Sequence, residues 1–167
     1  IEGNRSLGSG IASPTRGILL GGNNESPLAG MKSRIEFITI PTLGNGQDFG
    51  DLSQNHFFNI TAASNSIRAL AWGGTYPDTS TTTNIIEFVT IATKGNGVDF
   101  GDTTRAVGSA QATASSTRSV CYGGNGGGDN IVEYVNIMTQ GNAIDFGDTL
   151  SGGKYGGANF SNGHGGL

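Results

Sequence analysis

The feature of this sequence that most limits its fold is an internal repeat of about fifty residues, present three times. Each copy begins with an arginine, a short apolar run and a Gly-Gly pair, at residues 16–22, 68–74 and 118–124. A second apolar run follows at residues 35–40, 86–91 and 132–137, and each copy then reaches the tetrad Asp-Phe-Gly-Asp. Because the copies share one pattern, we expect an array of equivalent modules.

The repeat organises the 167 residues as one domain of three units. The expected units are residues 15–65, 66–115 and 116–167, the last with a C-terminal tip, and residues 1–14 resemble the tail of an incomplete unit. The third unit is shorter between its two apolar runs. The segments that differ there, residues 23–34, 75–85 and 125–131, are therefore expected to be exposed loops that tolerate insertion.

The apolar runs have the period and the residue types of β-strands. In the first unit, Ile35 and Phe37 fall on one face and Ile38 and Ile40 on the other, as in a strand packed between two layers. Another strand is predicted at residues 57–63, 105–113 and 155–160. Because the chain also contains 30 glycines and few helix formers, it is predicted to be all-β, with three or four short strands per unit.

Three positions of the repeat are expected to define its structure. The glutamate of the second run interrupts an apolar strand, so the repeated arginine is its natural partner, and a solvated glutamate at a sheet edge is the alternative. The phenylalanine of the tetrad is expected to be the buried anchor of a turn, followed by a glycine with an unusual backbone angle. These positions are Arg16, Arg68, Arg118, Glu36, Glu87, Glu133, Phe49, Phe100 and Phe146.

Candidate chemical groups are few, and neither a catalytic set nor a cofactor is predicted. The two histidines, His56 and His164, are far apart in sequence, and no nucleophile has a base beside it. The paired aspartates of each tetrad could ligate calcium together with nearby Asn oxygens, although turn capping by Asp is simpler. The weak calcium candidates are Asp48, Asp51, Asp99, Asp102, Asp145 and Asp148.

Charge and hydropathy exclude several classes of partner. The net charge is −4 and the nine basic residues form no run, so nucleic acid is not an expected partner. The longest apolar runs are too short to span a bilayer, so membrane insertion is not expected. Cys121, the single cysteine, is expected to be a small buried residue of a strand.

The variable loops are the candidate binding surfaces. They are polar with an occasional aromatic residue, a composition that suits carbohydrate. The candidate binding residues are Tyr76, Asp78, Asn125, Asp129 and His164. Leu20, Trp72 and Tyr122 occupy equivalent positions of the repeat, and a role in the apolar core is favoured for them over ligand stacking.

The repeat resembles a known family of β-repeats. Gly123-Gly124, Val132-Glu133-Tyr134 and Phe146 resemble the kelch β-propeller repeat, with phenylalanine in place of the usual tryptophan. Residues 86–102 and the ending at residues 161–167 are similar to kelch-like repeats in virion proteins of tailed bacteriophages, notably those of cyanobacteria. The resemblance implies propeller-blade-like sheets, or alternatively a trimeric β-prism built from the same repeats.

The resemblance also implies a function. It indicates a non-enzymatic structural or receptor-binding appendage on the virion surface, a tail fibre or decoration that acts in host attachment. Its expected partners are other virion proteins, cell-surface carbohydrate and further copies of the chain, with a trimer favoured over a dimer. The alternative is an extracellular adhesive or filament-forming β-repeat protein. A kelch-like copper enzyme would need clusters of Tyr and His that the sequence lacks.

Overall fold

The computed structural model describes residues 5–6, 8–24, 33–54, 59–76, 81–125 and 130–151. These residues form strands, turns and bends, and no helix is found among them. The strands, in chain order, are β1 (Arg5–Ser6), β2 (Ser9–Ala12), β3 (Arg16–Leu20), β4 (Asn23–Asn24), β5 (Arg34–Thr39), β6 (Gln47–Asp51), β7 (Thr61–Ser64), β8 (Arg68–Trp72), β9 (Thr83–Thr90), β10 (Val98–Val107), β11 (Gln111–Ala114), β12 (Arg118–Tyr122), β13 (Ile131–Asn136) and β14 (Ile144–Asp148).

Twelve of these strands form three antiparallel sheets of four strands each, which confirms the all-β prediction. Sheet 1 has the order β2-β3-β5-β6, sheet 2 the order β7-β8-β9-β10 and sheet 3 the order β11-β12-β13-β14. The two short strands β1 and β4 pair with each other. Within each sheet, neighbours in the chain are neighbours in space, so each sheet is a meander joined by local turns.

The two predicted apolar strands are present in all three sheets, but the prediction for the rest of the unit was partly wrong. The Asp-Phe-Gly-Asp tetrad lies within the fourth strand of each sheet and not in a turn. Residues 61–64 and 111–114 are the first strands of the sheets that follow, and residues 105–107 end β10. The predicted strand at residues 155–160 lies outside the described part of the chain.

The sheets are offset from the repeat boundaries expected from the sequence. Sheet 1 begins at β2, inside the segment interpreted as a tail, and sheet 2 begins at β7, inside residues 15–65. The loop expected at residues 75–85 is also shorter, because Thr75 and Thr82 form a β-bridge and β9 begins at Thr83. A sequence repeat can be cut at any phase, whereas the sheet is the unit that packs.

Each sheet has two faces, which we name after the charged residue on each. The arginine face bears the arginine of the second strand, and the glutamate face bears the glutamate of the third. These residues are Arg16 and Glu36 in sheet 1, Arg68 and Glu87 in sheet 2, and Arg118 and Glu133 in sheet 3. Ile18 pairs with Phe37 whereas Leu19 pairs with Glu36, so the alternation of side chains separates the two charges.

The sheets stack face to face, and the core lies in the two layers between them. The arginine face of sheet 1 packs on the glutamate face of sheet 2, and the arginine face of sheet 2 packs on the glutamate face of sheet 3. The fully buried side chains at these layers include Leu20, Trp72, Ile86 and Cys121. A buried aliphatic or aromatic side chain contributes about 1.5–3 kcal/mol, so the two layers dominate stability.

The first strands β2, β7 and β11 lie closer to each other than the fourth strands do. The three sheets therefore approach most closely along one side, and the described ends of the connections between second and third strands in sheets 2 and 3 meet at one end of the stack. We call this end, formed among the described residues by Gly73, Thr75, Thr82, Gly108 and Asn125, the loop end.

Candidate functional site

The repeated arginine belongs to a stack on the arginine face. Arg16 lies 4.9 Å from the centre of the Phe37 ring, and Phe37 meets Phe49 edge to face at 5.9 Å. The same stack recurs in the other sheets as Arg68, Phe88 and Phe100, and as Arg118, Tyr134 and Phe146. Cation–π contact and ring packing hold each guanidinium at a fixed place on its sheet.

From this place the arginine reaches the next sheet. Arg16 donates through Nη1 to the carbonyl oxygen of Ile91 at 2.6 Å, and Arg68 donates to that of Ile137 at 3.1 Å. The predicted pairing of this arginine with the repeated glutamate was therefore wrong, because the two residues lie on opposite faces of one sheet. The arginine instead joins neighbouring sheets.

The repeated glutamate also joins sheets, in the opposite direction. Glu87 accepts the backbone N–H of Ser53 at 2.8 Å, and Glu133 accepts that of Thr104 at 2.7 Å. Glu36, Glu87 and Glu133 are 6%, 1% and 0% exposed, so the alternative of a solvated glutamate was wrong as well. Burial raises the pKa of Glu87, and its hydrogen bond to Ser53 opposes this shift in part.

The tetrad forms a β-bulge at its phenylalanine. Glu36 pairs with Asp48 and Ile35 with Gly50, so Phe49 is an extra residue in the edge strand, and the other two sheets repeat this register. Gly50 has a φ of 148°, which glycine adopts without strain. The bulge turns the phenylalanine onto the arginine face, which explains why turn-forming residues occur inside a strand.

The phenylalanine is buried only where another sheet covers it. Phe49 and Phe100 are each 2% exposed, as expected of anchors, whereas Phe146 is 57% exposed. The expectation of burial was thus wrong for Phe146. The physical reason is its position on the outer arginine face of sheet 3, which no further sheet of the described residues covers.

The bulged strand also binds the Gly-Asn turn of the next sheet. Gly95 N donates to Phe49 O at 2.9 Å, Gly97 N donates to Asp51 O at 2.7 Å, and Asp51 N donates to the Asn96 side-chain oxygen at 3.0 Å. The junction between sheets 2 and 3 has the same three hydrogen bonds. Gly141 N donates to Phe100 O at 2.8 Å, and Ala143 N donates to Asp102 O at 2.7 Å. Asp102 N donates to the Asn142 side-chain oxygen at 3.0 Å. The Gly-Asn pair precedes the tetrad in all three copies of the repeat, at residues 44–45, 95–96 and 141–142, and this recurrence is the sequence signal of its role.

The calcium candidates lie along the exposed edges of the sheets. Asp51 accepts the hydroxyl of Ser33 at 3.0 Å, and Asp145 accepts the backbone N–H of Gly147 at 2.9 Å. The turn asparagines direct their oxygens to backbone N–H groups of Asp51 and Asp102. Among the described residues there is no group of three or more His, Cys, Asp or Glu that could hold a metal ion.

Two of the predicted binding residues lie at the loop end. Tyr76 is half-buried, and its N–H donates to Thr81 O at 2.9 Å. Asn125 forms a β-bridge with Gly108, in which Asn125 N donates to Gly108 O at 2.8 Å. Asp78, Asp129, His56 and His164 lie outside the described residues.

Gly108 brings the loops of sheets 2 and 3 together. A Cβ atom at this position would lie 2.7 Å from the Thr75 hydroxyl and 2.9 Å from the Asn125 side-chain oxygen. The absence of a side chain at Gly108 therefore allows the two loops to converge. The Thr75 hydroxyl and the Asn125 side-chain oxygen are both buried at this contact, so the loops of two sheets lie side by side around it.

The core role predicted for the equivalent positions Leu20 and Trp72 is confirmed, since they are 1% and 0% exposed. Tyr122 is half-buried, because it lies on the outer arginine face of sheet 3. Cys121 is a free, buried residue, as predicted, and burial raises the pKa of its thiol.

The outer glutamate face of sheet 1 carries an open apolar groove of about 460 Å³. It is lined along β2, β3 and β5 by residues that include Ala12, Gly17, Leu19 and Ile38. Ile38 is 45% exposed, whereas the equivalent Val89 and Val135 of the other sheets are each 3% exposed. The groove therefore lies on the face of sheet 1 whose equivalents in sheets 2 and 3 are covered by the preceding sheet.

No helix long and apolar enough to cross a membrane occurs in the described part of the chain. The chain matches no model of a known protein family and no curated protein. The functional assignment therefore depends on the repeat, on the contacts between the sheets and on the arrangement of the loops.

Proposed function

We propose that this chain is a non-enzymatic structural and receptor-binding appendage protein of a tailed-phage virion, displayed at the particle surface and acting in host attachment. One observation carries the proposal: residues that recur in the repeat join the sheets, whereas the described ends of two variable segments, at Thr75 and Asn125, meet at the loop end. This division is typical of a scaffold that presents variable binding loops.

The use of the charged residues supports the non-enzymatic part of the proposal. Arg16 and Arg68 bind backbone carbonyls, and Glu87 and Glu133 bind backbone N–H groups. A general acid or base has to reach a substrate, whereas these groups lie between sheets. Their recurrence is explained by the assembly of the stack.

The stacking of the sheets favours a kelch-like propeller over the trimeric prism as the final architecture. In a prism, the sheets of three chains would face each other around a shared axis. In this chain, sheets of the same chain cover both faces of sheet 2, and the first strands come closest, which is how propeller blades are arranged around their axis.

Carbohydrate on the host surface is the proposed ligand of the loop end. The variable segments of sheets 2 and 3 meet at Gly108, and the aromatic Tyr76 lies beside Thr75 in one of them. An aromatic ring in a polar loop suits the apolar ring face of a sugar.

Electron microscopy of the particle tests the proposal. Antibodies against the purified chain, detected with gold on intact phage particles, are expected to label a fixed position on the tail or capsid surface. Added soluble chain is expected to slow adsorption of the phage to its host. Particles on which the protein is found nowhere at the surface would contradict the assignment.

The second candidate is an extracellular adhesive filament built from stacked copies. It is favoured by one specific observation, the exposure of apolar residues on the two outer faces of the stack, Ile38 on sheet 1 and Phe146 on sheet 3. Negative-stain images of the purified protein separate the candidates: open-ended polymers support the filament, and closed particles of fixed size support the appendage.

A further inference from the structure

The two outer faces of the stack are complementary, because each is one half of a junction that the chain already makes twice. We infer that the arginine face of sheet 3 in one copy docks onto the glutamate face of sheet 1 in a second copy, in the register that joins sheet 1 to sheet 2 and sheet 2 to sheet 3. This inference holds whether or not the chain belongs to a virion.

Exposure at equivalent positions identifies the two halves. On sheet 3, Phe146 is 57% exposed, whereas Phe49 and Phe100 are each 2% exposed. On the side of sheet 1, Ile40 is 50% exposed, whereas the equivalent Ile91 and Ile137 are 2% and 0% exposed. The same positions that form the core inside the chain are thus left in solvent at its two outer faces.

The side-chain sizes on the two outer faces differ from those of the internal junctions in both directions. Leu19 and Ile38 on sheet 1 are larger than their counterparts, which are Ala71 and Val89 in sheet 2 and Cys121 and Val135 in sheet 3. On sheet 3, Val120 and Val132 are smaller than their counterparts, which are Ile18 and Ile35 in sheet 1 and Leu70 and Ile86 in sheet 2. On the same faces, Gly17 of sheet 1 is smaller than Ala69 and Ser119, and Tyr134 of sheet 3 is larger than Phe37 and Phe88. Each outer face therefore has both larger and smaller groups than the internal junctions.

The backbone groups of the third tetrad are in place for the same hydrogen bonds. In the internal junctions, the phenylalanine and second aspartate carbonyls of the tetrad each accept one N–H from the following Gly-Asn turn. By equivalence, Phe146 and Asp148 of one copy would accept the N–H groups of Gly44 and Gly46 of the second copy. The side-chain oxygen of Asn45 would accept the N–H of Asp148.

The glycine of the third tetrad leaves the space that this turn requires. A Cβ at Gly101 would lie 2.5 Å from the backbone of Gly141, so the turn of sheet 3 occupies that space. Gly147 has a similar φ of 137°, and a Cβ there would meet nothing within 4 Å. The space that such a turn occupies is therefore open at Gly147, and the Gly-Asn turn of a second copy would fill it.

Arg118 adds a directed contact. It lies 4.5 Å from the centre of the Tyr134 ring, in the stack that holds Arg16 and Arg68 toward carbonyl oxygens of the next sheet. The equivalent acceptor for Arg118 is the carbonyl oxygen of Ile40 in the second copy.

The number of sheets predicts how the assembly closes. Each copy has one half of the junction at each end, so the contact is heterologous and forms either a ring or an open filament. Two copies supply six sheets, within the range of about four to eight blades that closed propellers contain, whereas three copies supply nine. We therefore expect a closed dimer, in contrast to the trimer that the resemblance to phage fibres favours.

Light scattering on the full-length chain after size-exclusion chromatography tests the inference. The expected mass is twice the 17.0 kDa of one chain. Ile38→Lys and Phe146→Glu should each raise the dimer Kd by roughly a hundredfold or more, because each buries an unpaired charge in an apolar junction. The matched control is Ile67→Lys, since Ile67 is 49% exposed and lies in a turn away from both outer faces.

Mixing the two variants tests the head-to-tail register. A one-to-one mixture of the Ile38→Lys and Phe146→Glu chains contains one unaltered junction per pair, so heterodimers are expected although neither variant dimerises alone. A monomeric wild-type chain would overturn the inference, and so would dimers insensitive to both variants or a mixture that stays monomeric. Circular dichroism of each variant verifies that the sheets are intact.

Discussion

At the scale of single residues, the recurring charges of this chain bind backbone groups across a junction between sheets. Glu87 and Glu133 are buried. Glu87 accepts the N–H of Ser53, which follows the fourth strand of sheet 1, and Glu133 accepts that of Thr104, which lies within the fourth strand of sheet 2. Burial without such a partner would destabilise the chain by several kcal/mol. A buried glutamate is therefore tolerated here because its hydrogen bond joins one sheet to the next.

The pKa of Glu87 gives a pH-dependent prediction. Burial raises it above the ordinary value of 4.5, so the folded chain binds more protons than the unfolded chain in the interval above that value. The stabilisation from this proton uptake is fully present below pH 4.5 and is lost as the pH rises through the raised pKa. The melting temperature of Glu87→Gln minus that of wild type should therefore increase as the pH is raised from 4 to 7. A difference that stays constant across this range, measured by circular dichroism, would refute the prediction.

The tetrad phenylalanines allow a comparison within one motif. Phe100→Ala removes a ring that is 2% exposed and is expected to lower the free energy of unfolding by about 3–5 kcal/mol. Phe146→Ala changes a ring that is 57% exposed, so the expected loss is below about 1 kcal/mol.

Urea unfolding at a dilution where the chain is monomeric measures both values, because docking of a second copy would otherwise protect Phe146. Equal losses for the two variants would show that sheet position does not determine the burial of this phenylalanine.

At the scale of the structural elements, the bulged fourth strand and the Gly-Asn turn act as a pair. The bulge directs one ring into the layer between sheets and presents two carbonyls and one N–H to the turn of the next sheet. The edge of one sheet is thereby covered at the bulge by the turn of its neighbour, which protects it from pairing with other chains.

The glycine of the tetrad tests this pairing. Gly101→Ala places a Cβ atom 2.5 Å from the backbone of Gly141, and the turn must move to accommodate it. Gly147→Ala adds a similar backbone strain but meets no neighbour within 4 Å, so it is the matched control. We expect Gly101→Ala to lose at least about 2 kcal/mol more than Gly147→Ala in the monomeric chain. Comparable losses of stability for the two variants would mean that backbone strain at this φ explains the whole effect and that the clash with the turn contributes nothing.

At the scale of the whole molecule, the three sheets share their cores. Sheet 2 contributes one face to each apolar layer, so neither layer exists without it. Cooperative unfolding follows from this arrangement, because separating any two sheets exposes a complete layer.

Cys121 reports on this cooperativity, since it is the single cysteine and lies in the layer between sheets 2 and 3. Burial raises the pKa of the thiol and blocks access of reagents to it. A thiol reagent such as 5,5′-dithiobis(2-nitrobenzoic acid) should therefore react only when that layer opens. In urea, the labelled fraction is expected to follow the loss of β-sheet circular dichroism. Labelling that precedes the circular dichroism change would mean that sheet 3 separates first.

The sequence by itself determined that this chain is all-β, that its units recur, and which two strands of each unit are apolar. These properties are local: period, residue type and recurrence are visible without knowing which sheet lies beside which. The same local reasoning predicted the burial of Leu20, Trp72 and Cys121, and it placed the tetrad in a turn because Asp and Gly favour turns wherever they occur.

Only the tertiary structure decided the partners. Arg16 and Glu36 lie on opposite faces because strand register separates them, and the acceptor of Arg16 is 75 residues away on another sheet. Phe49 and Phe146 have the same neighbours in sequence, yet one is buried and the other exposed, because burial depends on whether another sheet covers that face. A repeat specifies equivalent surfaces, and the stacking of the sheets determines which of them remain open.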